Sequence, residues 1–176
     1  MEIGTWTGDR ALTMINLAKR YHSAKEINYY GFDLFGQMTK ETFAEEKSKW
    51  PPTQQEAYQK LHATGTNIHL FQGDTMDILP EEIMKLPMMD LIFIDGGHSL
   101  ATIANDWDYA RQLMHQKTVL IFDDYWPDRI DAGAKVTVDA IDRTIYDVRR
   151  LFITDHFKIT NFGELTIRLV AVKRKI

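Results

Sequence analysis

Three carboxylates follow two strongly apolar runs of the sequence. Asp95 comes directly after residues 91–94, and the pair Asp123-Asp124 comes directly after residues 119–122. Apolar runs of this kind are typical of central parallel strands, and ligands bind beyond the carboxyl ends of such strands. Three carboxylates gathered there would repel one another unless a cation or protons compensated them. An all-oxygen donor set suits a hard divalent ion, so we predict a Mg²⁺ or Mn²⁺ site, with ordinary turn and helix caps as the alternative.

A glycine-containing loop near the start of the sequence could hold a small ligand. Gly4 and Gly8 bound this loop, which leads from the end of a strand into a helix starting near Asp9. Glycine lets the backbone turn tightly and come close to a ligand. The spacing Gly-x-x-x-Gly differs from the Gly-x-Gly-x-x-Gly of dinucleotide sites and argues against a bound pyrophosphate. A plain strand-to-helix turn is the alternative.

Two further acids follow the second and third predicted strands. Asp33 lies 25 residues after Gly8, about where an acid accepts hydrogen bonds from ribose hydroxyls in a mononucleotide-binding unit. Gly73-Asp74-Thr75 follows the third strand, where the Asp74 carboxylate could meet an adenine amino group. Asp33 could instead cap a helix, but the loop and the acid together favour a nucleoside site.

Alternating strands and helices are predicted to position these residues. The strands are predicted at residues 1–3, 27–32, 67–71, 91–94, 119–122, 151–159 and 165–172. Apolar stripes at helical spacing lie between them, within residues 11–18, 100–107 and 134–148. The alternation predicts an α/β domain with a mainly parallel sheet, and the absence of repeats or linkers predicts one domain over residues 1–176. Residues 39–64 interrupt the alternation, are predicted to be helical on both sides of Pro51-Pro52, and could cover the site.

Composition and charge exclude several classes of protein. The chain has no cysteine, so disulfides, thiolate-bound zinc and cysteine nucleophiles are excluded. The net charge of −4, with a dense basic cluster only at residues 173–175, argues against a nucleic-acid partner. No apolar run reaches the roughly 18 residues of a membrane span, and the opening residues lack the features of a signal peptide. We therefore expect a cytoplasmic protein without a membrane partner.

Together these motifs resemble the cofactor motifs of class I S-adenosylmethionine-dependent methyltransferases. The matching positions are Glu-x-Gly-x-x-x-Gly at residues 2–8, then Asp33, then Gly73-Asp74. The resemblance implies a Rossmann-like three-layer sandwich with an antiparallel last strand, and S-adenosylmethionine as the cofactor. It places the methionine part of the cofactor at the loop, the ribose at Asp33 and the adenine at Asp74. The cofactor-binding residues that it implies are Glu2, Gly4, Thr5, Trp6, Thr7, Gly8, Asp33, Asp74, Thr75 and Asp95.

The stretches at residues 94–98, 106–107 and 122–125 narrow the resemblance to the macrocin O-methyltransferase-like group. Catechol O-methyltransferase is a more distant likeness. In these enzymes acids at the corresponding strand ends bind Mg²⁺, so the resemblance gives the metal-ligand role to Asp95, Asp123 and Asp124. It gives the general-base role to His98. The expected acceptor is a small-molecule hydroxyl, sugar or phenolic.

This assignment is chemically consistent. A hydroxyl oxygen must lose its proton as it attacks the sulfonium methyl group. A metal ion lowers the pKa of a bound hydroxyl, and a histidine can accept the proton near neutral pH. Binding both reactants in one cavity adds the advantage of proximity.

Three alternatives stay open at this point. A metal-dependent hydrolase would use Asp95, His98, Asp123 and Asp124 to activate water, but it gives the glycine loop and Asp33 no role. A non-catalytic module would keep the cofactor pocket without an acceptor site, and the short first strand favours it. A homo-oligomer would let a second subunit close an open acceptor side.

Overall fold

The computed structural model describes residues 1–46, 49–159 and 163–175. Its strands are β1 (Glu2–Ile3), β2 (Asn28–Asp33), β3 (Asn67–Gln72), β4 (Met89–Ile94), β5 (Met114–Tyr125), β6 (Tyr146–Ile159) and β7 (Gly163–Arg174). Its helices are α1 (Asp9–Ala18), α2 (Lys40–Glu46), α3 (Gln54–His62), α4 (Thr75–Glu82), α5 (Leu100–Ala110) and α6 (Lys135–Ala140).

The strands form one sheet in the order β3-β2-β1-β4-β5-β7-β6. The first five strands of this order run parallel, and β7 is antiparallel to both of its neighbours. The predicted fold, a mainly parallel sheet with an antiparallel last strand, is therefore confirmed. The register aligns Ile3 with Phe32 and Ile94, and Ile94 with Phe122. As a result, the residues that follow β1, β2, β4 and the parallel part of β5 meet at one edge of the sheet.

The predicted apolar runs form the centre of the core. Ile92 in β4 and Leu120 and Phe122 in β5 are completely buried. Helices cover the sheet with the predicted stripes, since Ile15 of α1 and Trp107 of α5 are buried. Continuous apolar strands are expected where both faces of a sheet are covered.

The stripe predicted at residues 134–148 is only partly helical. Helix α6 ends at Ala140, and Val148 lies in β6, where it pairs with Val172. The Asp142 carboxylate accepts hydrogen bonds from the Thr144 backbone N–H and hydroxyl, at 2.7 and 2.6 Å. This local turn ends the helical region, because an Asp side chain that bonds its own backbone competes with helix continuation.

Helices lie on both sides of Pro51-Pro52, as predicted. Thr53 begins α3 with a capping box, in which its hydroxyl accepts from the Glu56 N–H and the Glu56 carboxylate accepts from the Thr53 N–H. None of the helices in the described ranges is long and apolar enough to cross a membrane.

Candidate functional site

A cavity of about 720 Å³ opens at the carboxyl edge of the parallel strands. This volume is in the range that holds a cofactor-sized ligand. Its lining includes many of the predicted site residues: Gly4, Trp6, Asp33, Asp74, Thr75, Asp95, His98, Asp123 and Asp124. The predicted residues Glu2, Thr5, Thr7 and Gly8 are not in the lining formed by the described part of the chain.

The loop between β1 and α1 is shaped by its glycines. Gly4 has a φ of +89°, and its N–H donates to the Phe32 carbonyl at 2.8 Å. A Cβ added at Gly4 would lie 1.9 Å from the Asp95 carbonyl oxygen. Gly8 caps α1 with a φ of +75°. Glycine is required at Gly4 for both conformation and space, so the loop can press against the end of β4.

Glu2 lies behind this loop. Its side chain is completely buried and accepts a hydrogen bond from the Tyr29 hydroxyl, which also lies 3.1 Å from the Thr5 hydroxyl. Burial raises the pKa of Glu2 to about 7, against the opposing hydrogen bond from Tyr29. Glu2 and Thr5 therefore pack behind the loop and do not line the cavity. They can affect a bound cofactor only by fixing the backbone conformation of the loop.

Asp33 lies at the end of β2 and faces both the loop and the cavity. Its Oδ2 accepts from the Trp6 N–H at 2.7 Å, and its Oδ1 accepts from the Phe35 N–H at 2.9 Å. Burial raises the pKa of this carboxyl, while the backbone donors oppose the rise. The carboxylate thus orders the loop and keeps further acceptor capacity for hydroxyl groups in the cavity.

Asp74 caps α4. Its Oδ1 accepts from the Met76 N–H at 2.9 Å, and the backbone carbonyl of its neighbour Thr75 accepts from the Asn105 side chain at 3.1 Å. Both residues also line the cavity. The predicted adenine contact would therefore come from Asp74, whose carboxylate already caps the N-terminus of α4.

Arg10 joins two of the three predicted metal ligands. Its Nη1 lies 2.7 Å from Asp123 Oδ2, and its Nη2 lies 3.2 Å from Asp95 Oδ2. The guanidinium carbon lies 4.3 Å from the centre of the Phe93 ring. Burial raises the pKa of Asp95, Arg10 opposes the rise, and the charges of Asp123 and Asp124 add to it.

His98 and Asp124 form a second pair. His98 Nε2 lies 2.8 Å from Asp124 Oδ2, and His98 Nδ1 lies 2.8 Å from the Glu46 carbonyl oxygen. The Trp126 indole N–H donates to Asp124 Oδ1 at 3.1 Å. Burial opposes the charged imidazole, but the hydrogen bond and charge of Asp124 outweigh it and raise the pKa of His98. Burial opposes the charged form of Asp124, but the hydrogen bond and charge of His98, the Trp126 hydrogen bond and the Arg10 charge together lower the pKa of Asp124.

The carboxylates as arranged do not fit the predicted divalent ion. Asp95 and Asp123 face the guanidinium of Arg10, and Asp124 faces His98. Within residues 1–46, 49–159 and 163–175, no group of three or more acids and histidines has the geometry to hold a metal ion. The predicted ligands line the same cavity, but Arg10 compensates Asp95 and Asp123, and Asp124 contacts the His98 imidazole.

The sequence analysis missed Arg10 and Glu46. The Glu46 carboxylate accepts from the Ser99 N–H at 2.9 Å and from the Thr102 hydroxyl at 2.6 Å, and so holds α2 against the start of α5. A signal was present in both cases. Arg10 is a cation in the first turn of α1, and Glu46 is an acid at the end of α2, where the helix dipole disfavours these charges.

Comparisons with known proteins show the family to which the chain belongs. A family model described as a methyltransferase domain matches residues 1–125. The search of curated proteins found no match.

Several solved structures have the same fold. Precorrin-6y C5,15-methyltransferase from Geobacter metallireducens has a TM-score of 0.62 at 13% identity, covering 99% of this chain and 78% of that one. The O-methyltransferase TomG from Streptomyces achromogenes, solved with S-adenosylmethionine, has a TM-score of 0.58 at 19% identity, covering 98% and 71%. An O-methyltransferase from Bacillus cereus, solved with S-adenosylhomocysteine, has a TM-score of 0.59 at 18% identity, covering 98% and 72%.

Because these sequence identities are low, the solved structures show only that the fold is shared. Membership in a family is shown by the family model. Because that model matches well over half of the sequence, the chain belongs to the methyltransferase-domain family, as a class I S-adenosylmethionine-dependent methyltransferase.

Proposed function

We propose that this protein transfers the methyl group of S-adenosylmethionine to a hydroxyl oxygen of a small molecule. The observation that carries the proposal is that one cavity contains both the glycine-loop region, with Gly4 and Asp33, and the paired side chains of His98 and Asp124. A donor and an acceptor held in such a cavity could react without diffusing apart.

The cofactor side of the cavity matches the parts of S-adenosylmethionine. The backbone of the loop at Gly4 would lie against its methionine part, and Asp33 would accept hydrogen bonds from its ribose. Asp74 and Thr75 would lie near its adenine. When bound, S-adenosylmethionine supplies a methyl group on a sulfonium sulfur.

The acceptor side would be formed by His98, Asp124 and Trp126. Transfer would form a bond between the hydroxyl oxygen and the methyl carbon as the S–C bond of the cofactor breaks with its electron pair staying on sulfur, and the hydroxyl proton would pass to a base. His98 is the proposed base. Its ring nitrogens lie 2.8 Å from Asp124 Oδ2 and from the Glu46 carbonyl oxygen, so one of these contacts must open for the neutral imidazole to accept the hydroxyl proton, and the other would hold the imidazolium that forms. Trp126, whose ring centre lies 5.3 Å from that of His98, would form a wall for a sugar or phenolic ring.

A small-molecule acceptor fits the dimensions and charge of the protein better than a nucleic acid. The lining of the cavity includes residues of α2 and of the last two strands. The net charge is −4, whereas phosphate-rich partners require basic surfaces. TomG, one of the structures with this fold, is an O-methyltransferase involved in tomaymycin synthesis.

The proposed transfer does not depend on the magnesium ion implied by the resemblance, since the carboxylates as arranged do not fit that ion. The hydrolase alternative loses its main support, because Asp95 and Asp123 contact Arg10. The homo-oligomer is untested and also stays a prediction.

The proposal is tested in two stages. Calorimetric titration with S-adenosylmethionine should give saturable 1:1 binding. Incubation of the protein and cofactor with a panel of sugars and phenols should then produce S-adenosylhomocysteine together with a product that is one methyl group heavier. Cofactor binding without turnover on any hydroxyl would favour the non-catalytic module, and absence of cofactor binding would contradict the proposal.

A further inference from the structure

Arg10 is held in place from three directions. Its two terminal nitrogens contact Asp123 and Asp95 at 2.7 and 3.2 Å, and its guanidinium plane lies over the ring of Phe93. The two carboxylates belong to neighbouring parallel strands, β4 and β5, and the arginine comes from the first turn of α1. The side chain is 39% exposed and lines the cavity.

The position of Arg10 at the start of α1 is unfavourable for a cation. The N-terminal end of a helix carries a partial positive charge that repels it. The contacts with two carboxylates and an aromatic face outweigh this repulsion, since charge-assisted hydrogen bonds are the strong ones and a guanidinium stacks well on a ring. The position of Arg10 is therefore explained by its contacts with Asp95 and Asp123, and not by the helix in which it lies.

The charges at this end of the cavity balance without a metal ion. Asp95 and Asp123 contribute at most two negative charges, and Arg10 contributes one positive charge. The proposed cofactor would bring a second positive charge, its sulfonium. Asp124 is separately paired with His98. A divalent cation added to this set would leave excess positive charge, and it would compete with Arg10 for the same two carboxylates.

We infer that Arg10 is a built-in cation that takes the place of a divalent metal ion in this site. It holds Asp95 and Asp123 together at the strand ends, beside the cofactor cavity, as a positioning residue. The inference rests on the proposed methyl transfer, because that is the reaction in which a metal would otherwise take part. The contacts of Arg10 with Asp95 and Asp123 can nevertheless be tested without an acceptor substrate.

Manganese binding tests this inference directly. Mn²⁺ is titrated into the purified protein, and the free ion is followed by electron paramagnetic resonance. The wild-type protein should show no saturable binding up to about 1 mM, the weak end of protein sites built from oxygen ligands. Arg10→Met, which removes the charge and keeps an unbranched apolar side chain, should acquire a saturable site in that range. The double variant R10M/D123N should lose it again.

A matched control is Arg111→Met. It removes an arginine from a single exposed carboxylate, Asp108, at 3.0 Å and away from the cavity, and should not create a manganese site. Affinity for S-adenosylmethionine should be independent of Mg²⁺ in the wild-type protein. The cofactor titration also distinguishes failure of the proposed function from failure of the inference about Arg10. A protein that does not bind the cofactor contradicts the proposed function and leaves the manganese result unaffected.

Two outcomes overturn the inference. One is saturable manganese binding by the wild-type protein that Asp123→Asn abolishes. The other is a folded Arg10→Met variant that binds no manganese. If Arg10→Met does not fold, Arg10→Gln replaces it with the same expectations, and the wild-type titration decides the question in either case.

Discussion

At the scale of single residues, the predicted acids of the cavity fall into two separate groups of contacting side chains. One joins Arg10 to the carboxylates that follow β4 and end the parallel part of β5, and the other joins His98 to Asp124. Asp124 has a φ of +53°, a conformation that is uncommon outside glycine and clusters at functional sites. Asp123 contacts Arg10, whereas its neighbour Asp124 contacts His98.

His98 should be required for turnover and not for cofactor binding. We expect His98→Ala to lower the methyl-transfer rate by about 10²–10⁴-fold, the usual contribution of a general base, with an unchanged dissociation constant for S-adenosylmethionine. Steady-state kinetics on an accepted hydroxyl and calorimetry measure the two quantities. His115→Ala is the matched control, because His115 also pairs with an aspartate, Asp90, but lies outside the cavity. Wild-type turnover by His98→Ala would exclude the base role.

Asp33 should contribute directly to cofactor affinity. We expect Asp33→Ala to weaken S-adenosylmethionine binding by about 1.5–3 kcal/mol, because charge-assisted hydrogen bonds to the ribose are lost and the Trp6 N–H loses its acceptor. Calorimetry on the folded variant gives the value, and Asp77→Ala, at an exposed position of α4, serves as the control. An unchanged affinity would rule out the ribose contact.

At the scale of elements, the β1–α1 loop depends on the close approach of Gly4 to the end of β4. We expect Gly4→Ala to destabilise the protein by about 4 kcal/mol or more, because the new Cβ would collide with the backbone of Asp95 at a positive φ. For a chain of this length, that corresponds to a fall of about 10 °C in Tm by calorimetry. Gly36→Ala, whose nearest neighbour would be 3.9 Å away, should leave Tm nearly unchanged. Equal Tm values for the two variants would refute the packing argument.

Helix α2 is held over the site through the Glu46 carboxylate. Glu46→Ala removes the acceptor for the Ser99 N–H and the Thr102 hydroxyl and keeps the backbone carbonyl that faces His98. We expect the amides of residues 40–46 to exchange hydrogen about tenfold faster. The reason is that the free energy of local opening decreases by roughly the value of one charge-assisted hydrogen bond. Exchange measured by mass spectrometry tests this.

Glu45→Ala is the matched control for Glu46, because the neighbouring acid is exposed. Gly97→Ala offers an independent check, since its Cβ would lie 2.2 Å from Glu46 Oε2 and would have to displace that side chain. Unchanged exchange in both Glu46→Ala and Gly97→Ala would mean that the carboxylate does not hold the helix.

At the scale of the whole molecule, two buried acids link stability to pH. Burial raises the pKa of Glu2 and of Asp106 to about 7 each. Ordinary values in an unfolded chain are about 4. Between these limits the folded protein retains protons that the unfolded chain has lost, so the stabilising contribution is complete below pH 4 and is lost as the pH rises through 7.

The free energy of unfolding should therefore decrease between pH 4.5 and 7 by up to about 1.4 kcal/mol per pH unit for each of these acids. Denaturant titrations at several pH values measure this slope. Glu2→Gln, which retains an acceptor for the Tyr29 hydroxyl, and Asp106→Asn should each reduce it. Asp90→Asn, at a fully exposed side chain, should not. A wild-type stability that increases over this range would contradict the assignment.

The sequence alone was sufficient to predict the fold and the edge of the sheet at which the candidate site residues meet. Hydrophobic periodicity is a local property, and the apolar runs that became β4 and β5 could be recognised without any tertiary contact. Because parallel strands end at the same edge, the residues after them were expected to meet there, and Asp33, Asp95 and Asp123 do line one cavity. The helix predicted through Val148 was wrong beyond Ala140, since an apolar residue every few positions suits the end of a helix and the start of a strand alike.

Only the tertiary structure decided which cation compensates the acids. Asp95 and Asp123 have the same local sequence pattern whether they bind magnesium or an arginine. Arg10 is separated from Asp123 by 113 positions, and the choice depends on side-chain distances that the packing of α1 against the sheet sets. The same holds for Glu46, which lies 53 positions before Ser99. Strand ends are encoded locally and can be read in sequence, whereas the pairing of charges is a long-range geometric property that requires the folded chain.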